Sequence, residues 1–184
     1  AKVICQTGNI FWENEEALRD GTVKNLLASV KPFKIDSSIN VVWYHEEFPL
    51  DIFHFGESNQ SKNIYSFVNC FSTSDLFRED WELFQKVEKI MPDYKFRAFG
   101  ASCRNGWING IKNLADKMRE SQFVWHTKSG ADGMGLVIHG AMAAGRAPII
   151  NYNEYKDKLA GEKLIPYQNC IPIDSKESPE TIKE

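Results

Sequence analysis

The residues most able to do chemistry fall in one stretch, Trp125 to Gly145, where a lysine, an aspartate and a run of glycines lie within a few positions of each other. An apolar, strand-like run ends at His126. Lys128 follows, and Ser129-Gly130-Ala131-Asp132-Gly133-Met134-Gly135 then leads into an alanine-rich helical pattern. Glycine in a helix costs roughly 1 kcal/mol relative to alanine, so Gly133, Gly135 and Gly140 are locally unfavourable. That cost makes sense where something must approach the backbone closely. At Gly133 and Gly135, with Met134 between them, the approaching group reads as a phosphate, held by backbone N–H groups at the positive end of a helix dipole. Lys128, at the carboxyl end of the strand with His126, is placed to offset phosphate charge. Asp132 stands where an N-cap would stand; it either caps the helix or accepts hydrogen bonds from ligand hydroxyls just outside it. Gly140 and the neighbouring alanines read as small residues that let the helix lie close to a sheet.

Alternating strands and helices are needed to hold that loop. Lys2–Gln6, Lys24–Ala28 and Asn40–Tyr44 read as strands around a polar helical stretch, Glu13–Arg19. A polar segment from Gly56 to Asn63 marks a boundary. Beyond it come a strand (Ile64–Phe71), a helix (Trp81–Met91), a strand (Tyr94–Phe99), a helix (Ile108–Met118), a strand (Gln122–His126), a helix (Met134–Ala144) and a strand (Pro148–Tyr152). Such alternation with short connections predicts an α/β fold with a doubly wound, mostly parallel Rossmann-like sheet. Ligands then bind beyond the carboxyl ends of the strands, here Asn69–Phe71, Phe99–Ala101, His126–Gly130 and Asn151–Asn153. Ser178-Pro179-Glu180 reads as the start of a further helix. The nearly immediate strand at the amino end and the short run after Pro179 read as a piece of something longer.

Other constellations are weaker. His45 and His54 flank Glu46 and Glu47, but the H-E-x-x-H spacing that puts two imidazoles on one helical face is missing and Pro49 intervenes. Gly100-Ala101-Ser102-Cys103-Arg104 is not a nucleophile elbow, because Arg104 replaces the second glycine. That loop follows a strand, so Arg104 either reaches a phosphate or is a solvated surface residue. Gly130 to Gly135 reads G-x-x-G-x-G after a late strand, not the dinucleotide fingerprint. The four cysteines are far apart and read as buried or half-buried thiols of a reducing compartment. Most of the tryptophans and phenylalanines read as core.

Asp132-Gly133-Met134-Gly135-Leu136 followed by Ala141-Met142-Ala143-Ala144-Gly145 resembles the E-G-F-G-L…E-A-M-A-x-G-x-P segment of GT-B glycosyltransferases, and Ser129 matches a serine common there. The resemblance implies the donor-binding C-terminal half of such an enzyme, with a partial second domain before it. Val41-Val42-Trp43-Tyr44-His45 to Asp51-Ile52-Phe53 resembles the crossover between halves, so residues 1–56 are expected to end the acceptor half and 57–184 to form the nucleotide-sugar domain. The likeness implies that Asp132 orients the sugar, and that Lys128 with the Gly133–Gly135 amides stabilises the leaving diphosphate without a metal, with retention at the anomeric carbon. Three departures stand out. Asp132 replaces a glutamate. Gly140 falls where the family grips the ribose, leaving His139 as the nearby substitute. Arg146-Ala147-Pro148 holds one residue more than the family's G-x-P. The family's diphosphate-binding arginine has no counterpart at Asn69-Cys70, and Arg78 is the nearest basic residue downstream.

The expected donor is a UDP- or GDP-sugar, with no further cofactor and no metal, since no D-x-D pair occurs. The acceptor, a glycan, lipid or protein, leaves no mark on the sequence. A formal net charge of −3 over 184 residues offers no basic excess for nucleic acid. No apolar run approaches the ~20 residues that cross a bilayer, and no signal-peptide pattern is visible, so a cytoplasmic protein is expected. The competing reading is a non-catalytic nucleotide-sugar-binding or scaffold domain of the same fold, which Gly140 favours.

Overall fold

A computed structural model describes residues 4–7, 21–28, 38–43, 48–57, 61–128, 135–158, 161–174, 176 and 178–183. The expected helix Glu13–Arg19, His45 and the loop residues Ser129 to Met134 lie outside the described residues.

The described residues form two parallel sheets. The first joins β1 (Ile4–Thr7), β2 (Asn25–Ala28) and β3 (Asn40–Trp43) in the order β1-β2-β3. The second contains β4 (Asn63–Ser66), β5 (Lys95–Ala98), β6 (Phe123–His126), β7 (Ala147–Asn151) and β8 (Ile171–Ile173), in the order β5-β4-β6-β7-β8, every pair parallel. The chain builds outward from β4 to β5, then crosses to the other side of β4 to lay down β6, β7 and β8. That reversal is the topological switch point, where adjacent loops diverge and leave a crevice.

Helices cover both faces of the second sheet, as its nearly continuous apolar strands require. On one face α1 (Arg78–Ile90) buries Leu83, Phe84 and Val87 against Phe96, Trp125 and Ile149. A five-residue helix, α5 (Pro179–Lys183), packs against α1 and is capped by Ser178, whose Oγ accepts from the Thr181 N–H at 3.3 Å. On the other face α2 (Ile111–Glu120) and α3 (Leu136–Ala143) bury Ala115, Met118 and Ala141 against Tyr65 and Val124. A single turn, α4 (Tyr152–Tyr155), follows β7.

Several expected boundaries shift for local reasons. β4 stops at Ser66 rather than Phe71, because its partner β5 ends at Ala98 and residues 68–71 curl into a turn with Cys70 at φ +56°. α2 begins at Ile111 rather than Ile108, since Gly110 at φ +85° lies outside the helical region. α3 begins at Leu136, with Gly135 extended before it.

Candidate active site

A cavity of about 690 Å³ opens at the switch point. Its walls come from the carboxyl ends of β4, β5 and β6, from the loop before α2, and from the amino end of α3. The loops after β4 and β5 are laced together. The Cys70 N–H donates to the Ala101 carbonyl at 2.8 Å, the Ala101 N–H donates to Asn69 Oδ1 at 3.0 Å, and the Cys103 thiol donates to the Val68 carbonyl at 3.1 Å. Gly100 allows this closeness: at φ +140° it adopts a backbone that side chains disfavour, and a Cβ there would stand 2.9 Å from Asn69 Oδ1 and 3.0 Å from the Val68 carbonyl.

The cavity's chemistry is divided. Part of the lining is apolar, with Phe67 and Phe99 stacked at 5.9 Å between ring centroids and with Trp107, Ile108 and Ile111. The rest is polar. His126, buried, and Lys128 both line it. The Lys128 ammonium lies 5.8 Å from the Phe77 ring centroid, within cation–π reach, and the Lys128 carbonyl accepts from the buried Tyr155 hydroxyl at 3.4 Å. Gly135, Leu136 and Val137 bring the first turn of α3 to the cavity. No acidic residue lies in that turn, and Gly135 at the N-cap has no side chain to occupy its amides. Among the described residues no carboxylate lines the cavity. The positive helix end and Lys128 therefore act in the same direction, toward an anion.

Of the residues expected to bind the donor, His126, Lys128 and Gly135 come together here. Ser129, Asp132, Gly133 and Met134 lie outside the described residues. The remaining three are placed elsewhere. Arg104 forms a bidentate pair with Glu88 of α1, at 2.7 and 3.0 Å, and stacks over Trp81 and Phe84. Arg78 pairs with Asp75 on the surface. His139 turns toward the Phe48 ring, 5.9 Å away between centroids. None of these three lines the cavity. His54 is exposed, and among the described residues no three His, Cys, Asp or Glu side chains gather as a metal site.

Apart from Phe99, which closes one of the strand ends expected to face a ligand, the apolar wall was missed by sequence reasoning. Trp107 is 65% exposed and is not among the tryptophans that form the core. The available signal was its bracketing by Gly106 and Gly110, both at positive φ, which lifts the ring out of any helix.

No family model matches this chain, and no curated protein matches it. Solved structures do. TarM superposes with a TM-score of 0.63 at 14% identity, covering 93% of this chain and 37% of that one. A mutant of S. aureus TarM in complex with fondaparinux, alpha-GlcNAc-glycerol and UDP gives a TM-score of 0.61 at 13% identity, over 92% of this chain and 37% of that one. The pneumococcal O-GlcNAc transferase GtfA, in complex with UDP and GlcNAc, gives 0.54 at 11% identity, over 96% and 40% respectively. The chain thus spans less than half the length of these proteins. Its fold is that of the GT-B glycosyltransferases. Among the described residues no helix is long and apolar enough to cross a membrane.

Proposed function

We propose that this chain is the donor-binding part of a glycosyltransferase that takes a nucleoside-diphosphate sugar, UDP- or GDP-linked, and passes the sugar to an acceptor without a metal ion. The observation that carries the reading is the cavity at the switch point, which joins an apolar wall to the positive end of α3 and Lys128 and is lined by no described carboxylate. The solved complexes of similar fold contain UDP, which supports a nucleotide in this one.

The chemistry follows from charge. As the bond from the anomeric carbon to the diphosphate oxygen breaks, negative charge grows on the leaving diphosphate. Amides of the first turn of α3 and the Lys128 ammonium stabilise it from fixed positions, with little reorganisation during the reaction. Base and ribose lie against Trp107 and its apolar neighbours, and Asp132 orients the sugar. Isothermal calorimetry tests the binding step. UDP or GDP should bind with EDTA present, and uridine alone should bind much more weakly. No binding by any nucleoside diphosphate would defeat the reading.

A second reading, binding without catalysis, starts from position 140, where the family resemblance would place a ribose-binding carboxylate and this chain has glycine. Sugar transfer from UDP-GlcNAc or another UDP- or GDP-sugar, by a protein containing both halves, decides between them. Tight binding with no transfer to any acceptor supports the second.

A further inference from the structure

A Cβ on Gly140 would stand 2.9 Å from Cδ1 and Cε1 of Phe53 and 2.9 Å from the Met118 sulfur. Phe53 is fully buried and belongs to a strap, residues 48–57, that runs over α2 and α3. Its ring joins Ala115, Met118, Ala141 and Ala144, with Phe48 beside it at 5.1 Å between centroids. Polar bonds fix the strap on either side of Phe53. The Arg119 guanidinium donates to the Ile52 carbonyl at 3.0 Å, the Gly56 N–H donates to the Ala144 carbonyl at 3.3 Å, and Arg146 donates to the Glu57 carbonyl at 2.7 Å.

α3 has few means of its own to hold position. It is eight residues long with glycine in its interior, Gly135 gives it no side-chain cap, and its first turn has no acidic residue. So short a helix is marginal alone and takes its place from what packs on it. Gly140 lies one turn beyond Leu136 and Val137, the residues that face the cavity.

We propose that the strap positions the site: Phe53 fills the socket left by the absent side chain at Gly140 and thereby fixes the amino end of α3 at the cavity. Phe53 and Gly140 are positioning residues, and neither lines the cavity. Gly140 is on this account a packing adaptation to Phe53, not a vacated ligand contact. The ligand part of the test rests on the nucleotide-binding reading; the helix part does not.

Hydrogen exchange of the α3 amides without ligand, and UDP affinity by calorimetry, are compared in the wild type and four variants. These are Phe53→Ala, Gly140→Ala, the double variant Phe53→Leu with Gly140→Ala, and Val87→Ala. Val87 is buried on the opposite face, so its truncation weakens the fold without touching the strap. Phe53→Ala and Gly140→Ala should speed exchange across Leu136–Ala143 and weaken UDP binding by about tenfold. The double variant should recover most of both, because the smaller leucine makes room for the methyl group and the flexible Met118 side chain gives way on its other side. Val87→Ala should lower Tm while leaving α3 exchange and UDP affinity near wild type. The proposal is overturned if α3 exchange stays at the wild-type rate in Phe53→Ala and Gly140→Ala, or if Val87→Ala accelerates it equally. Faster α3 exchange in Phe53→Ala, together with a wild type that does not bind UDP, leaves the strap standing and removes the nucleotide reading.

Discussion

Replacing Gly100 with alanine should damage both the fold and the cavity, and the size of the effect can be worked from the contacts. An L-residue at φ +140° is strained by about 1–3 kcal/mol. The added Cβ also falls 2.9 Å from Asn69 Oδ1 and 3.0 Å from the Val68 carbonyl, separations that real Cβ atoms avoid. Asn69 has to move, and its bond from the Ala101 N–H loosens with it, which adds about 1 kcal/mol. Roughly 2–4 kcal/mol of destabilisation is expected in urea unfolding. Because Asn69 and Gly100 both line the cavity, weaker UDP binding should accompany it. In an Asn69→Ala background the side-chain clash is gone while the strained φ and the carbonyl contact remain. Gly100→Ala should then cost about 1 kcal/mol less than it does alone. A Gly100→Ala protein within about 0.5 kcal/mol of wild type would refute the strain argument, and strict additivity with Asn69→Ala would refute the contact.

Lys128→Gln should weaken UDP binding by about tenfold, the worth of one charge-assisted hydrogen bond, while uridine binding hardly changes; equal losses for both in calorimetry would show that Lys128 does not face a phosphate. Glu88→Gln should lower stability by about 1 kcal/mol, because Arg104 loses a half-exposed bidentate partner, and should leave UDP affinity unchanged. An affinity loss there comparable to that of Lys128→Gln would return Arg104 to the site. Stability should fall as pH rises above about 9. Burial raises the Cys170 thiol above its ordinary 9.0, and burial first, then nearby Glu120, raises the Tyr65 hydroxyl above 10.0 against the lowering effect of Arg97 and Lys117. Each group is neutral in the fold and ionises more readily in the unfolded chain. Their contributions are therefore complete below the unfolded value and disappear through the raised one. Cys170→Ala should flatten the part of the decline that begins near pH 9, and an unchanged slope in urea titrations would contradict it.

Much of the fold was legible because long apolar runs and helical spacing survive any local detail. The strands β4 to β7 and the helices α1 to α3 all lie within the segments their periodicity marks, to within a few residues. What escaped has physical causes. Ile64–Phe71 is a mainly apolar and aromatic run, yet Asn69 and Cys70 turn the chain at its end and convert half of the expected strand into cavity wall. β8 is only Ile171-Pro172-Ile173, and a central proline argues against a strand anywhere but at an edge, which is where it sits. Ile108 shares helical spacing with Ile111 and Met118, but Gly110 between them breaks the helix before Ile108 can join it.

The candidate site divides in the same way, between residues whose signal is local and residues whose role depends on a distant partner. Lys128 and Gly135 announce themselves because a strand end, a basic residue and a glycine-led helix follow one another in sequence. Arg104 also follows a strand end, but its position alone does not reveal Glu88, which reaches it from α1 and engages the guanidinium. The glycines show the limit most clearly. A missing side chain can mean that a ligand needs the space or that another side chain already fills it, and both leave the same letter in the sequence. Gly135 lines the cavity just before α3, whereas Gly140, five residues later inside the helix, lies under Phe53. The family resemblance assigns position 140 to ribose recognition, and only the packing of a residue 87 positions earlier separates a lost contact from an occupied socket.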